Sequence, residues 1–337
     1  MQPLFEKVYQ NQALTRDEMK QVATAIFDEE LTDAQISAFL VALKFKGITS
    51  DELTGLAEVM QARVRTMPQT SLHLMDNCGT GGDHSNSFNI STTSAFVLAG
   101  GGIPMAKHGN RSVSSHSGSA DVLELLGVTL QATPEEVNYL LQEAGIAFLF
   151  APAFHPAMKA VMPIRKQLAT PTIFNLIGPI INPYPLHTQL MGTFAKDTLV
   201  ETAETLGKLG RKRAVVVQGS GGMDEANLAG TTHFALYEDG YVTTYAFTPE
   251  EVGLTPAPLA AIQSNSVEQN KEILLSVLQD QSSVYYDTVC LNAGLGFFAN
   301  GAVPDMKEGI RLAKEVIASG AAYAALQALI TFQKELN

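Results

Sequence analysis

Over residues 15–62 the apolar positions recur every three or four residues, the spacing of one face of an α-helix. Met19, Val22, Ala23, Ile26 and Phe27 fall on one such face, and Thr15 with Glu18 three residues later forms a capping box before them. The device repeats: Thr32 with Gln35 precedes Ile36, Phe39, Leu40 and Leu43, and Gly47 supplies the stop. Thr49 with Glu52 then opens a third helix carrying Leu53, Leu56, Ala57 and Met60, which ends at Met67-Pro68. Residues 1–70 therefore read as a small all-helical unit. Beyond it short apolar runs alternate with glycine-rich turns. Helices are predicted at 95–99, 120–126 (closed by Gly127), 199–209, 268–278 and 307–318, and strands at 103–106, 147–150 and 214–218. That alternation predicts an α/β layer over 71–337 with a mostly parallel sheet. The proline-rich stretch 152–185 contains a basic helix-like segment at 159–168, and residues 165–183 are expected to cross back and join the helical unit. No internal repeat is visible.

Composition narrows the function classes. The chain has 337 residues and a formal net charge of −12, with the acids spread along its length. Such a field repels polyanions, so no nucleic-acid partner is expected, and any phosphate site must be a local basic pocket. Only two cysteines are present, Cys78 and Cys290, far apart in sequence. They are too few for a disulfide framework or a cysteine zinc site. Cys78, beside a glycine-rich turn, reads as a small buried hydrophobe rather than a reactive thiol. The start, MQPLFEKVYQ, shows no basic segment followed by an apolar run, and the apolar stretches 173–181 and 321–332 are too short to span a bilayer. A cytoplasmic protein without a membrane partner is expected.

Three stretches carry chemistry. The first is DNCGTGGD (76–83), followed by Asn89-Ile90-Ser91-Thr92 at the start of an apolar helical run. Gly79, Gly81 and Gly82 let the backbone approach a ligand, and a helix start after a glycine-rich turn offers free N–H groups to a phosphate. It is neither a Walker loop nor GxGxxG, and alone it is equally an ordinary capped turn. The second is Lys107-His108-Gly109-Asn110-Arg111 and the serine-rich run after it, leaving a predicted strand, the end at which open α/β sheets bind ligands. Lys107 and Arg111 bring positive charge and the hydroxyls bring neutral donors, as an oligophosphate needs. The third, GSGGMDE (219–225), places Asp224 and Glu225 on a loop after a strand, where adjacent carboxylates can hold Mg²⁺.

These stretches occur in a fixed order with SGSADVLE (117–124), HPAMK (155–159) and TIFNLIGPIINP (172–183). Together they resemble the anthranilate phosphoribosyltransferases over nearly the whole chain. The resemblance implies a nucleoside phosphorylase-like transferase fold, a homodimer and a step in tryptophan biosynthesis. It also implies Mg²⁺-dependent transfer from phosphoribosyl pyrophosphate (PRPP) to the anthranilate amine. It assigns Gly79, Gly82, Asp83, Ser87, Asn89, Ser91, Thr92, Lys107, Ser115 and Ser119 to PRPP. Ser91, Asp224 and Glu225 go to the metal, and Gly79, His108, Asn110 and Arg165 to anthranilate. Arg165 suits a carboxylate because its planar fork meets both oxygens. No general base is assigned; His108 is the nearest candidate and reads better as a positioning residue.

The chain departs from the family's pattern in places. Ser87 stands where threonine is common, His116 where lysine is, Gln218 where histidine is, and Ser264-Asn265-Ser266 where many relatives carry Gly-Gly-Asp. Only local loop geometry is affected. A pyrimidine nucleoside phosphorylase of the same fold is the alternative enzyme, disfavoured by Asp224-Glu225 and the KHGN segment. A nucleic-acid-binding paralogue is disfavoured by the negative charge. Apolar helix faces around Leu40, Leu43 and Leu53 are expected to serve the dimer, with packing against the α/β unit as the competing use of the same faces.

Overall fold

The computed structural model describes residues 1–111 and 117–336. The chain opens with four helices, α1 (Gln2–Tyr9), α2 (Arg16–Phe27), α3 (Asp33–Lys46) and α4 (Ser50–Gln61). The predicted capping boxes at Thr15, Thr32 and Thr49 all form, each threonine accepting a backbone N–H while the acid or amide three residues on returns the bond.

The α/β part follows in the order β1 (Met75–Asp76), α5 (Ile90–Gly100), β2 (Met105–Gly109), α6 (Ser119–Leu125), α7 (Pro134–Glu143), β3 (Ile146–Phe150), α8 (Ala151–Phe154), α9 (Met162–Leu168) and α10 (Ile173–Ile180). It continues with β4 (Thr188–Gly192), α11 (Leu199–Lys208), β5 (Arg213–Gln218), β6 (Thr232–Glu238), β7 (Tyr241–Phe247), α12 (Val267–Leu278), α13 (Val284–Asn300), α14 (Met306–Ala318) and α15 (Ala321–Leu336). The strands form one sheet in the order β3-β2-β1-β4-β5-β6-β7. Its first five strands are parallel, and β6 and β7 add an antiparallel edge. Successive strand side chains point to opposite faces. On β5, Val215 and Val217 therefore face one core, with α5, α13 and α15, whereas Ala214 and Val216 face a second core. That second core holds Leu53 and Leu56 of α4, Ile173 and Ile177 of α10, and Ala203 and Leu206 of α11. The N-terminal helices thus cover one face of the sheet.

Several expectations change. Leu40, Leu43 and Leu53 are 1%, 0% and 0% exposed, because α9, α10 and α11 cover their faces within the chain, so they are not a dimer surface. The predicted helix at 95–99 begins five residues earlier, at Ile90, and the basic segment at 159–168 is a 3₁₀ turn, Pro156–Ala160, followed by α9. Among the described residues no single helix is long and apolar enough to cross a membrane.

Candidate active site

The carboxyl ends of β1, β2 and β5 carry the three chemical stretches. Asp76, fully buried at the end of β1, organises the first two. Its Oδ1 accepts the N–H groups of Asn77 (2.8 Å), Cys78 (3.2 Å) and His108 (3.2 Å), and its Oδ2 accepts Asn182 Nδ2 (3.0 Å). The Cys78 thiol donates to the same carboxylate at 3.2 Å, and burial pushes its pKa well up, so it is the inert packed cysteine expected. Asp76, Cys78 and His108 lie close enough to suggest a metal cluster, but the bonds to Asp76 already occupy its oxygens.

The third loop presses against Gly79, while Gly81 and Gly82 adopt positive φ with open space around them. Gly81 N–H donates to Asp224 Oδ2 at 2.6 Å, and Thr80 N–H to the Gly192 carbonyl at 3.0 Å. A Cβ on Gly79 would collide with the Asp224 carboxylate, and one on Gly192 with the Asp224 carbonyl. Asp83 joins the cluster: its Oδ1 accepts from Ser85 Oγ (2.9 Å) and its Oδ2 from the Asp224 N–H (3.3 Å). Burial, then the negative charge of Asp83, raises the Asp224 carboxyl to about 7. Desolvation and the Asp224 charge push Glu225 well above the carboxylate range, opposed by Lys107 and by a hydrogen bond with the Ser91 side chain. Asp83, Ser91, Lys107, Asp224 and Glu225 are therefore one electrostatic unit. Asp224 and Glu225, which resist ionisation there, offer hard oxygen donors whose crowding a divalent cation would relieve. Mg²⁺ fits them.

Asn89 precedes α5 without capping it, because its side chain is bonded to Ser117: Nδ2 donates to the Ser117 carbonyl (3.3 Å) and Oδ1 accepts from Ser117 Oγ (3.1 Å). No side chain caps the start of α5, where Ser91 and Thr92 lie, and an uncapped helix start suits an anion. The divergent Ser264-Asn265-Ser266 segment braces this turn. Ser264 Oγ accepts from Asn270 Nδ2 (2.8 Å), Asn270 Oδ1 accepts the Asn89 N–H (2.9 Å), and Ser266 caps α12. Ser87 pairs with Gln263 in a β-bridge, and Gln218 donates to the Phe194 carbonyl at 2.6 Å. Ser119 heads α6 with its hydroxyl on the Asn110 carbonyl (3.1 Å). Ser115 and His116 lie outside the described residues.

Arg111 does not join the phosphate side as expected. Two acids three residues apart on one face of α6 take its guanidinium, Asp121 at 2.8 Å and Glu124 at 3.1 Å. Lys107 is the buried cation of this site; its ammonium donates to the His108 carbonyl at 3.3 Å.

His108 turns to the opposite face of β2. Its Nδ1 lies 3.1 Å from the Gly178 carbonyl, so Nδ1 carries the proton, and Nε2 accepts from His155 Nε2 at 3.1 Å. Burial lowers both imidazoles, His155 to about 4 and His108 well below its usual value, where His155 and Lys107 add to the effect. A lone pair already occupied and weakly basic favours positioning over proton abstraction. Asn110 is exposed at the mouth. Arg165 on α9 is half-buried and pairs with no carboxylate among the described residues; its Nη1 donates to Met162 Sδ at 3.8 Å. No contact ties Arg165 directly to His108 or Asn110. Sequence reasoning missed Asp76, His155 and Asn182, polar residues within quoted motifs, and Asn270, a buried polar residue inside a predicted helix that carried no motif signal.

The glycosyl transferase family accounts for this architecture: its α/β domain matches residues 71–323 and its helical bundle domain residues 2–64. Relatives named anthranilate phosphoribosyltransferase, from Listeria monocytogenes and Streptococcus gordonii, are 56% and 52% identical, covering 100% and 99% of this chain and 99% and 100% of their own. The crystal structure of anthranilate phosphoribosyltransferase from Thermus thermophilus superposes with a TM-score of 0.91 at 40% identity, over 98% of this chain and 99% of its own. The Saccharomyces cerevisiae enzyme, in complex with PRPP and Mg, gives 0.88 at 26% identity over 99% and 98%. The chain belongs to the anthranilate phosphoribosyltransferases. It is a transferase of PRPP-dependent phosphoribosyl transfer to anthranilate in tryptophan biosynthesis.

Proposed function

We propose that the two faces of β2 divide the substrates, PRPP on the Lys107 side and anthranilate on the His108 side, with transfer at the carboxyl end of the sheet between them. The observation that carries this reading is the convergence of Ser91, Lys107, Asp83, Asp224 and Glu225 on one side, and of His108, His155 and the α10 end on the other. Gly79, Gly82, Ser87, Asn89, Thr92, Ser115 and Ser119 complete the PRPP side. Gly79, Asn110 and Arg165 complete the acceptor side, where the unpaired guanidinium suits the anthranilate carboxylate.

The amine attacks the anomeric carbon of the ribose, the C–O bond to pyrophosphate breaks, and the amine's surplus proton is lost to solvent. The products are N-(5-phosphoribosyl)anthranilate and pyrophosphate. Ser91, Asp224 and Glu225 would hold Mg²⁺, which supplies neutralisation of charge on the leaving pyrophosphate; the PRPP and Mg complex of the yeast relative supports Mg²⁺ as the metal. Lys107 adds a fixed positive charge beside the same group, preorganised by burial. His108, neutral and held, orients the acceptor.

The chain acts in the cytoplasm as a homodimer, with residues 165–183 part of the helical unit. Sedimentation giving a monomer at micromolar protein would overturn the dimer. The reaction is tested by loss of anthranilate fluorescence on adding PRPP, with and without Mg²⁺. Loss only in the complete mixture is expected, and no loss with folded protein overturns the reading.

A further inference from the structure

Helix α10 ends without a glycine cap. The Ile181 N–H closes on the Ile177 carbonyl at 3.2 Å, which leaves the carbonyls of Gly178, Pro179 and Ile180 as the helix's unpaired acceptors. Three side chains take them one by one, His108 from β2, Gln189 from β4 and Arg211 from the loop before β5. His108 Nδ1 reaches the Gly178 carbonyl (3.1 Å), Gln189 Nε2 donates to Pro179 (2.8 Å), and Arg211 Nη2 donates to Ile180 (2.7 Å). Arg211 Nε donates to Gln189 Oε1 at 3.1 Å, which joins the last two into one clamp. Arg211 is 2% exposed and forms no ion pair among the described residues. Burial lowers its pKa to about 10, while Asp76, the first of the nearby negative groups, works the other way. An arginine kept in such a place is a poor way to gain stability, because a buried charge without a carboxylate partner is costly. Its guanidinium faces the negative end of α10, where a cation is favoured, and its fork fits a carbonyl and an amide oxygen together.

We infer that Arg211 and Gln189 are positioning residues for the acceptor side of the site: by holding the last turn of α10 they set the Gly178 carbonyl against His108 Nδ1. They thereby decide which ring nitrogen of His108 is protonated and where Nε2 points. Neither side chain needs to touch a substrate. The effect on catalysis rests on the proposed placement of anthranilate beside His108; the effect on the imidazole does not.

The test uses full-length protein labelled with ¹⁵N-histidine, comparing wild type with Arg211→Lys and Gln189→Leu, each measured below its own Tm. Lysine keeps the charge but replaces the two-nitrogen fork on Ile180 and Gln189 by a single mobile nitrogen, and leucine removes both of the glutamine's bonds. Wild-type His108 should show the Nδ1–H tautomer. Both variants should shift it toward a mixture of tautomers and raise the KM for anthranilate about tenfold, with the KM for PRPP moving less than twofold. If Arg211→Lys does not fold, Gln189→Leu decides alone. A lower Tm with unchanged His108 resonances and unchanged KM values would reduce the clamp to a stabilising contact and overturn the inference. A tautomer shift with equal changes in both KM values would instead leave the clamp standing and overturn the placement of anthranilate.

Discussion

Replacing Asp224 by asparagine should move stability and activity in opposite directions. Asp224 is buried beside Asp83 and Glu225, and its pKa rises from the ordinary 3.8 to about 7. A raised folded-state pKa means that the fold favours the protonated form. Its contribution is intact below the unfolded pKa near 4 and is lost as pH climbs through 7. A rise of about three units corresponds to roughly 4 kcal/mol at pH 8, a ceiling because the three carboxylates share the strain. Asparagine is neutral at every pH and its amide oxygen can still accept the Gly81 N–H. Without divalent cations, Asp224→Asn should therefore exceed wild type in stability at pH 8, by several degrees in Tm, and match it at pH 4. Turnover should fall by about 10²-fold or more, the scale of losing a preorganised charge contact. Urea denaturation in EDTA at the two pH values and anthranilate fluorescence kinetics read both effects. No stability gain at pH 8 refutes the crowding argument, and wild-type turnover at limiting Mg²⁺ refutes the metal assignment.

Arg165→Ala should raise the KM for anthranilate about tenfold to a hundredfold, from the roughly 1.5–3 kcal/mol of a charged hydrogen bond, and leave the KM for PRPP nearly unchanged. Ser91→Ala should do the reverse and become more sensitive to Mg²⁺; equal effects of both variants on both substrates would mean that the sides are not divided as proposed. In the helical part, Arg16 and then Lys20 hold Glu58 down at about 2, so this pair stabilises the fold above pH 4.5 and its contribution is lost as pH falls toward 2. Glu58→Gln should accordingly lower Tm at pH 7 and converge with wild type near pH 2, and a constant difference across that range would show that the charge is irrelevant.

What the sequence disclosed depended on whether the signal was local. The capping threonines at 15, 32 and 49 are self-contained, and each appears where expected. Strand β4 was not foreseen because its Thr188 and Gln189 look like loop residues. Both are buried, and their partners Asn300 and Arg211 are distant in sequence. Helix α13 escaped because it is apolar nearly all round, which erases the periodicity of a one-sided helix. The β6–β7 hairpin did carry a local signal, Asp239-Gly240, with both residues at positive φ. At the site the motif residues were legible, and the sequence also showed the charge of Arg111. It did not show that Asp121 and Glu124 would claim that charge. The Gly192 contact with Asp224 likewise exists only once β4 and β5 are side by side.

The second core, shared between the N-terminal helices and the sheet, bears on how the chain can be divided. Leu53, Leu56 and Ala57 rest against Ile177, Ala203 and Leu206, and beneath them lie Ala214, Val216 and Ala235 of the sheet. A peptide cut after residue 64 would leave each piece with a naked oily face, and neither half would hold its shape unaided. Mixed together, the two pieces should cover each other again without any linker between them, since what joins them is a common interior rather than a hinge.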